Sequence, residues 1–130
     1  MFKQAKIRTI HGLLCQGRKE EFYINKVFES GKSLPIKAET IQTPLGRYTP
    51  DFEFPDRFIE IKGGGTFRVL LGEEAYIRGG KVSDLQWRKI QWVSQNMKPV
   101  EIIVIAKDEH QDVTIPNKPN QVKVTKYHHK

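Results

Sequence analysis

Two spacings of apolar residues organise the chain. Ile7, Ile10, Leu13 and Leu14 recur at helical spacing within 1–17, and a second helical stretch runs from Arg18 to Ser30, with Gly31 as its stop. On a helical wheel Tyr23, Ile24, Val27 and Phe28 share one face. Glu20 falls at the centre of that face and Glu21 near its edge. A carboxylate on an apolar face calls for a partner.

Beyond Gly31 the period shortens to two. One short strand is expected around Ile36 to Ile41, followed by a turn in a stretch that carries Pro44 and Gly46. From Asp51 to Lys62, Phe52 and Phe54 alternate with Asp51 and Glu53, and Ile59 and Ile61 alternate with Glu60 and Lys62. This predicts a hairpin with its turn at Pro55-Asp56. Gly63 to Gly65 end it, and no element is assigned over 66–80.

Ser83-Asp84-Leu85-Gln86 has the form of a capping box and opens a helix that Pro99 closes, with Gln86, Ile90, Val93 and Met97 on one face. Val100 to Ala106 is a nearly unbroken apolar run, as expected of a strand covered on both sides. Gln121 to Lys126 alternates as an edge strand would. The order implies an α/β class, a central mixed sheet flanked by helices, in a single domain over 1–130.

Composition changes the picture in two ways. Lys and Arg number 22 against 15 Asp and Glu, a net charge of +7 in 130 residues, which points to a polyanion and first of all to nucleic acid. One cysteine, Cys15, excludes an intrachain disulfide framework and a cysteine-based zinc site, and reads as a small buried hydrophobe. No apolar run nears the ~20 residues of a membrane span, and 1–10 lacks the pattern of a secretory signal. The expectation is a reduced, cytoplasmic protein with no membrane partner.

The hairpin carries the chemistry. A two-residue turn at Pro55-Asp56 opposes Phe54 to Arg57, Phe52 to Ile59 and Asp51 to Glu60, so Asp51, Glu60 and Lys62 share a face. Opposed Cβ atoms lie about 4.5–5.5 Å apart, and two carboxylates that close repel. A hard cation such as Mg²⁺ between them removes the penalty. Lys62 can hold or deprotonate an attacking water and neutralise charge on a phosphate, and Glu20, from a helix over the sheet, can add a third carboxylate. This is equipment for metal-assisted phosphodiester hydrolysis.

Tyr48-Thr49-Pro50-Asp51-Phe52, followed by Phe58-Ile59-Glu60-Ile61-Lys62-Gly63, resembles the signature of the PD-(D/E)-x-K nuclease superfamily, with a helical Glu upstream in the same order. The wording is most similar to phage-type endonuclease I, the Holliday-junction resolving enzymes. The resemblance covers mainly 18–63. It implies a restriction-endonuclease-like core, a phage or mobile-element origin, Mg²⁺ (or Mn²⁺) held by Asp51, Glu60 and the Ile61 carbonyl, and Lys62 as catalytic lysine. It also implies a helical carboxylate, for which the wheel selects Glu20 and leaves Glu21 as the alternative. By the same resemblance 33–49 is a candidate for exchange between subunits.

Other motifs have plainer readings. Gly79-Gly80-Lys81 is not a phosphate loop, since Val82 and Ala75 stand where Ser/Thr and Gly are required. The loop is instead expected to close over DNA, with Arg68, Arg78 and Lys81 on phosphates, joined by Arg88 and Lys89. Gln86 is either a capping-box residue or a group that positions substrate or water. Trp87 and Trp92 read as core or dimer contacts. The expected function is a Mg²⁺-dependent endodeoxyribonuclease acting on branched or recombining DNA as a homodimer. A site-specific homing or restriction-type nuclease is the alternative, and a basic DNA-binding module with a vestigial site is a third reading.

Overall fold

The computed structural model describes residues 8–63, 84–106 and 122–128. Its elements are β1 (Arg8–Ile10), β2 (Leu13–Cys15), α1 (Arg18–Glu29), β3 (Ile36–Lys37), β4 (Ile41–Thr43), β5 (Gly46–Tyr48), β6 (Phe52–Phe54), β7 (Arg57–Gly63), α2 (Asp84–Asn96), β8 (Val100–Ala106) and β9 (Val122–His128). Five of the strands form one mixed sheet in the order β3-β6-β7-β8-β9. The β3–β6 and β6–β7 pairs are antiparallel, and β7, β8 and β9 run parallel. The α/β class with a mixed sheet is therefore as expected, and among the described residues two helices flank it. Ser83 and the stretch 66–80 lie outside the described residues.

The alternation of β7 and β8 divides the core between two faces. Ile59, Ile61, Ile103 and Ile105 pack with Phe52 and Phe54 of β6 against Cys15 and against Tyr23 and Ile24 of α1. Phe58, Val100, Ile102 and Val104 point the other way and pack against Ile90 and Val93 of α2 and Tyr48 of β5. Trp87 and Trp92 are half-buried against this second cluster. The apolar run Val100–Ala106 is thus covered on both sides, as its pattern predicts. Its single carboxylate, Glu101, is buried, and accepts from Arg57 Nε at 2.9 Å and Thr125 Oγ1 at 2.7 Å.

Several expectations are corrected. The segment before Gly17 is not helical where described: β1 and β2 form a hairpin whose turn residues, His11 and Gly12, have φ of 49° and 85°. Positive φ at both central positions suits a tight two-residue hairpin turn, and this local geometry overrides the helix-like spacing. The single strand expected over Ile36–Ile41 is only two residues long, and Ile41 opens a separate hairpin, β4–β5. Thr43 closes that hairpin by donating to the Gly46 carbonyl at 2.7 Å and accepting from the Leu45 amide. Phe28 and Met97 are not on buried faces; each is 53% exposed. Phe28 instead stacks on His11 at 3.7 Å, and Met97 lies just past the end of α2.

Because Ile102 is fully buried on β8, an inner strand of the sheet, Ile102→Ala is expected to cost about 2–5 kcal/mol, the range for emptying a packed core position. Urea unfolding of the variant measures it. A loss below about 0.5 kcal/mol, the scale of surface changes, would place β8 outside the core.

Candidate active site

The β6–β7 hairpin turns at Pro55-Asp56 and pairs Phe54 with Arg57, Glu53 with Phe58 and Phe52 with Ile59, in the expected register. The ladder stops there, one pair short of the expected Asp51–Glu60 pair. Asp51 is at a bend, and its amide donates to the Ile59 carbonyl at 3.0 Å. Its carboxylate Oδ2 accepts the Ile61 amide at 2.7 Å. A side chain thus replaces the missing strand. The N–H and C=O of one strand residue point to the same side. The Ile61 carbonyl therefore looks into the gap that Asp51 bridges.

Around this gap is a cavity of about 360 Å³ lined by 16–20, Asp51 and 60–62. Five of the sequence-derived residues line it together: Glu20, Asp51, Glu60, Ile61 and Lys62. Glu60 is 3% exposed. Its Oε1 accepts the Tyr48 hydroxyl, and its Oε2 lies 3.2 Å from Lys62 Nζ. Lys62 also donates to Gln86 Oε1 at 3.3 Å, so Gln86 meets the site through the lysine. Glu20 Oε1 accepts the Gln16 amide at 3.2 Å and Lys37 Nζ at 3.4 Å. Glu21 pairs with Arg8 at 3.4 Å and does not line the cavity. The wheel argument for Glu20 over Glu21 agrees with this placement.

The electrostatics follow from two carboxylates brought together out of water. Burial, then the adjacent Glu60 carboxylate, push Asp51 from 3.8 up to about 7, against the pull of the Ile61 amide and Lys62. Burial and Asp51 likewise raise Glu20. The Tyr48 phenol is pushed well above its ordinary value by burial and by Glu60, so it stays a neutral donor.

Some expected residues are elsewhere or engaged. Lys89 donates to the Arg47 carbonyl at 2.9 Å and secures the β4–β5 hairpin, while Arg88 is exposed on α2. Arg68, Arg78 and Lys81 lie outside the described residues. Sequence reasoning missed Arg18 and Lys19, which line the cavity from the first turn of α1 and have no ion pair among the described residues. Their signal was available: two cations beside a helix N-terminus work against the helix dipole. It also missed Tyr48, which the sequence shows only as one more apolar position before Pro50-Asp51. Among the described residues no three His, Cys, Asp or Glu side chains converge as a metal-binding group. No protein-family model, curated protein or solved structure matches the chain.

The raised Asp51 has a measurable consequence without any reaction. A carboxyl whose folded value lies above its unfolded one stabilises fully below the unfolded value, here 3.8, and that stability is lost as pH rises through about 7. In chelator, Asp51→Asn is expected to melt higher than the parent at pH 8 and close to it at pH 5. Asparagine keeps an acceptor for the Ile61 amide and carries no charge. Thermal melts of both proteins across this range test it, and a difference that does not change with pH would remove the charge repulsion from the account.

Proposed function

We propose that this chain is a metal-dependent endodeoxyribonuclease with a restriction-endonuclease-like core, and that it acts on branched or recombining DNA. The observation that carries the reading is the gap beside Glu60, where Glu20, Asp51, Glu60 and Lys62 line one cavity along the part of β7 that β6 leaves unpaired. Buried carboxylates in contact cost stability, and a structural role offers no return for them. Hydrolysis of a phosphodiester does.

The donor set fits a hard divalent cation. Asp51, Glu60 and the Ile61 carbonyl offer only oxygen, and Mg²⁺ typically takes one or two carboxylates and fills its remaining positions with water and substrate phosphate. Mn²⁺ suits the same ligands. When bound, the ion supplies Lewis-acid neutralisation of phosphate charge. The remaining work falls to the chain's own side chains. Lys62, held between Glu60 and Gln86, places an ammonium where it can orient a water and offset charge building on the phosphate. Glu20 adds a carboxylate from the opposite wall. Arg18 and Lys19 supply positive charge at the helix end for the DNA backbone. A homodimer would set two such sites on two strands.

The variants separate these roles. Asp51→Asn, Glu60→Gln and Glu20→Gln are each expected to cut supercoiled plasmid at below about 1% of the parent rate in Mg²⁺, the scale of losing one electrostatic group at a reacting centre. DNA binding in chelator should persist or tighten, since each change removes negative charge. Lys62→Ala should lose most of its rate, and Lys62→Arg should not restore it fully, because a guanidinium does not give up its proton. Glu21→Gln should cut normally. Parent-like rates in Asp51→Asn or Glu60→Gln would end the nuclease reading, and loss in Glu21→Gln with activity in Glu20→Gln would rotate the helix by one residue.

The substrate is tested by salt. With a net charge of +7 the protein should bind any DNA, with an affinity that falls steeply with added salt, which makes counterion release less favourable. No helix-turn-helix or zinc finger is present in the sequence to read bases. Binding and cleavage of four-way junction, flap and random duplex at two salt concentrations are therefore expected to show a junction preference that widens at the higher salt. Equal cutting of junction and duplex would reject the branched-DNA reading. Cutting confined to one long target would replace it with a site-specific nuclease.

A further inference from the structure

Tyr48 belongs to none of the residue types that chemistry at a carboxylate site calls for. It is 4% exposed, and its ring packs among Phe58, Ile90 and Val93 on the α2 side of the sheet. Ring packing alone would be served by phenylalanine. The hydroxyl has one partner among the described residues, Oε1 of Glu60.

That hydrogen bond does something a charged partner would not. A lysine or arginine at the same place would hold Glu60 and also cancel its charge. A phenol holds the carboxylate and leaves its charge intact for a cation. With Oε1 claimed, the carboxylate cannot rotate freely, and Oε2 stays beside Lys62, which lines the cavity. The position is also tied to the second carboxylate. Tyr48 and Asp51 are separated only by Thr49 and the buried Pro50, whose ring fixes one backbone angle. The β4–β5 hairpin that ends in Tyr48 is itself secured to α2 by Lys89. One short stretch of chain therefore sets where Asp51 lies and how Glu60 is turned.

We propose that Tyr48 is a positioning residue for Glu60, its hydroxyl fixing the carboxylate so that the Asp51–Glu60 pair takes up a divalent cation. The proposal rests on the metal-dependent nuclease reading and adds to it a residue that touches neither DNA nor ion. Partners that orient a ligand typically contribute tenfold to a hundredfold in metal affinity.

The experiment is a calorimetric titration of the full chain with Mn²⁺, without DNA, beside the Mg²⁺ dependence of plasmid nicking. Tyr48→Phe and Tyr48→Met both lack the hydroxyl and differ in shape. Both are expected to weaken Mn²⁺ binding by about tenfold or more, with a matching rise in the Mg²⁺ needed for half-maximal nicking and unchanged duplex affinity in chelator. In a Glu60→Gln background Tyr48→Phe should weaken Mn²⁺ binding no further, because the hydroxyl acts through Glu60. Parent-like Mn²⁺ affinity in Tyr48→Phe overturns the proposal, and so does weakening in Tyr48→Met alone, which would trace the effect to ring packing. A parent protein that binds Mn²⁺ and nicks DNA while Tyr48→Phe matches it overturns only the role of Tyr48. A parent that does neither overturns the nuclease reading and this proposal with it.

Discussion

The structure turns on a hydrogen bond in which a side chain stands in for a strand. Strand β6 starts only at Phe52, and the next amide along β7 that needs a partner, that of Ile61, finds it in the Asp51 carboxylate. Had β6 started earlier, main chain would have filled that edge and Asp51 would be one more residue on a ladder. Because it does not, β7 runs on to Gly63 with β8 on one side and an opening on the other. Buried main-chain donors must be satisfied, and this one is satisfied by a group that brings negative charge. The cavity, and the Ile61 carbonyl on the same side of β7 as its amide, depend on that late start.

The cost of the arrangement is electrostatic and is spread over both faces. Glu60 opposes the ionisation of Asp51, the Ile61 amide and Lys62 soften that opposition, and Tyr48 donates to Glu60 from the other face. Nothing among these partners neutralises the pair completely. A protein selected for stability alone would place apolar residues here, as it does two positions earlier in β7 with Phe58 on the same face as Glu60. The continuous packing of β7 and β8 against α1 and α2 supplies the rigidity that keeps the carboxylates from separating.

What could be read from the sequence follows the length of each pattern. The β6–β7 hairpin was legible down to its register, because two alternating runs flanked a turn of recognised chemistry. The doubly covered strand β8 was legible from its nearly uninterrupted apolar run, and most of the buried face of α1 from the spacing of Tyr23, Ile24 and Val27. The two small hairpins were not. Each of their strands has three residues, too few to show a period of two, and in 1–17 the same residues happened to satisfy a helical spacing. At the site, the types and spacing of Asp51, Glu60 and Lys62 were legible because chemistry restricts them. The Tyr48 hydroxyl and the engagement of Lys89 were not, because each depends on a tertiary neighbour distant in sequence.

The hairpin hidden from sequence reasoning is also what settles the helical carboxylate. Successive residues of an α-helix are rotated by about 100°, so Glu20 and Glu21 cannot both face the same wall, and the roll of α1 decides between them. Three contacts with the first hairpin bear on that roll. Arg8 of β1 pairs with Glu21, and His11 at the turn hydrogen-bonds Asn25 at 2.9 Å and stacks on Phe28. Glu21, Asn25 and Phe28 are spaced four and three apart and so form one stripe along the helix. Fastening that stripe to the hairpin turns Tyr23 and Ile24 into the core and leaves Glu20 over the gap beside Asp51. The exposed Phe28, out of place on a wheel that expects it in the core, is thereby explained: it serves as an anchor for the small hairpin, and through the hairpin it fixes which acid meets the site.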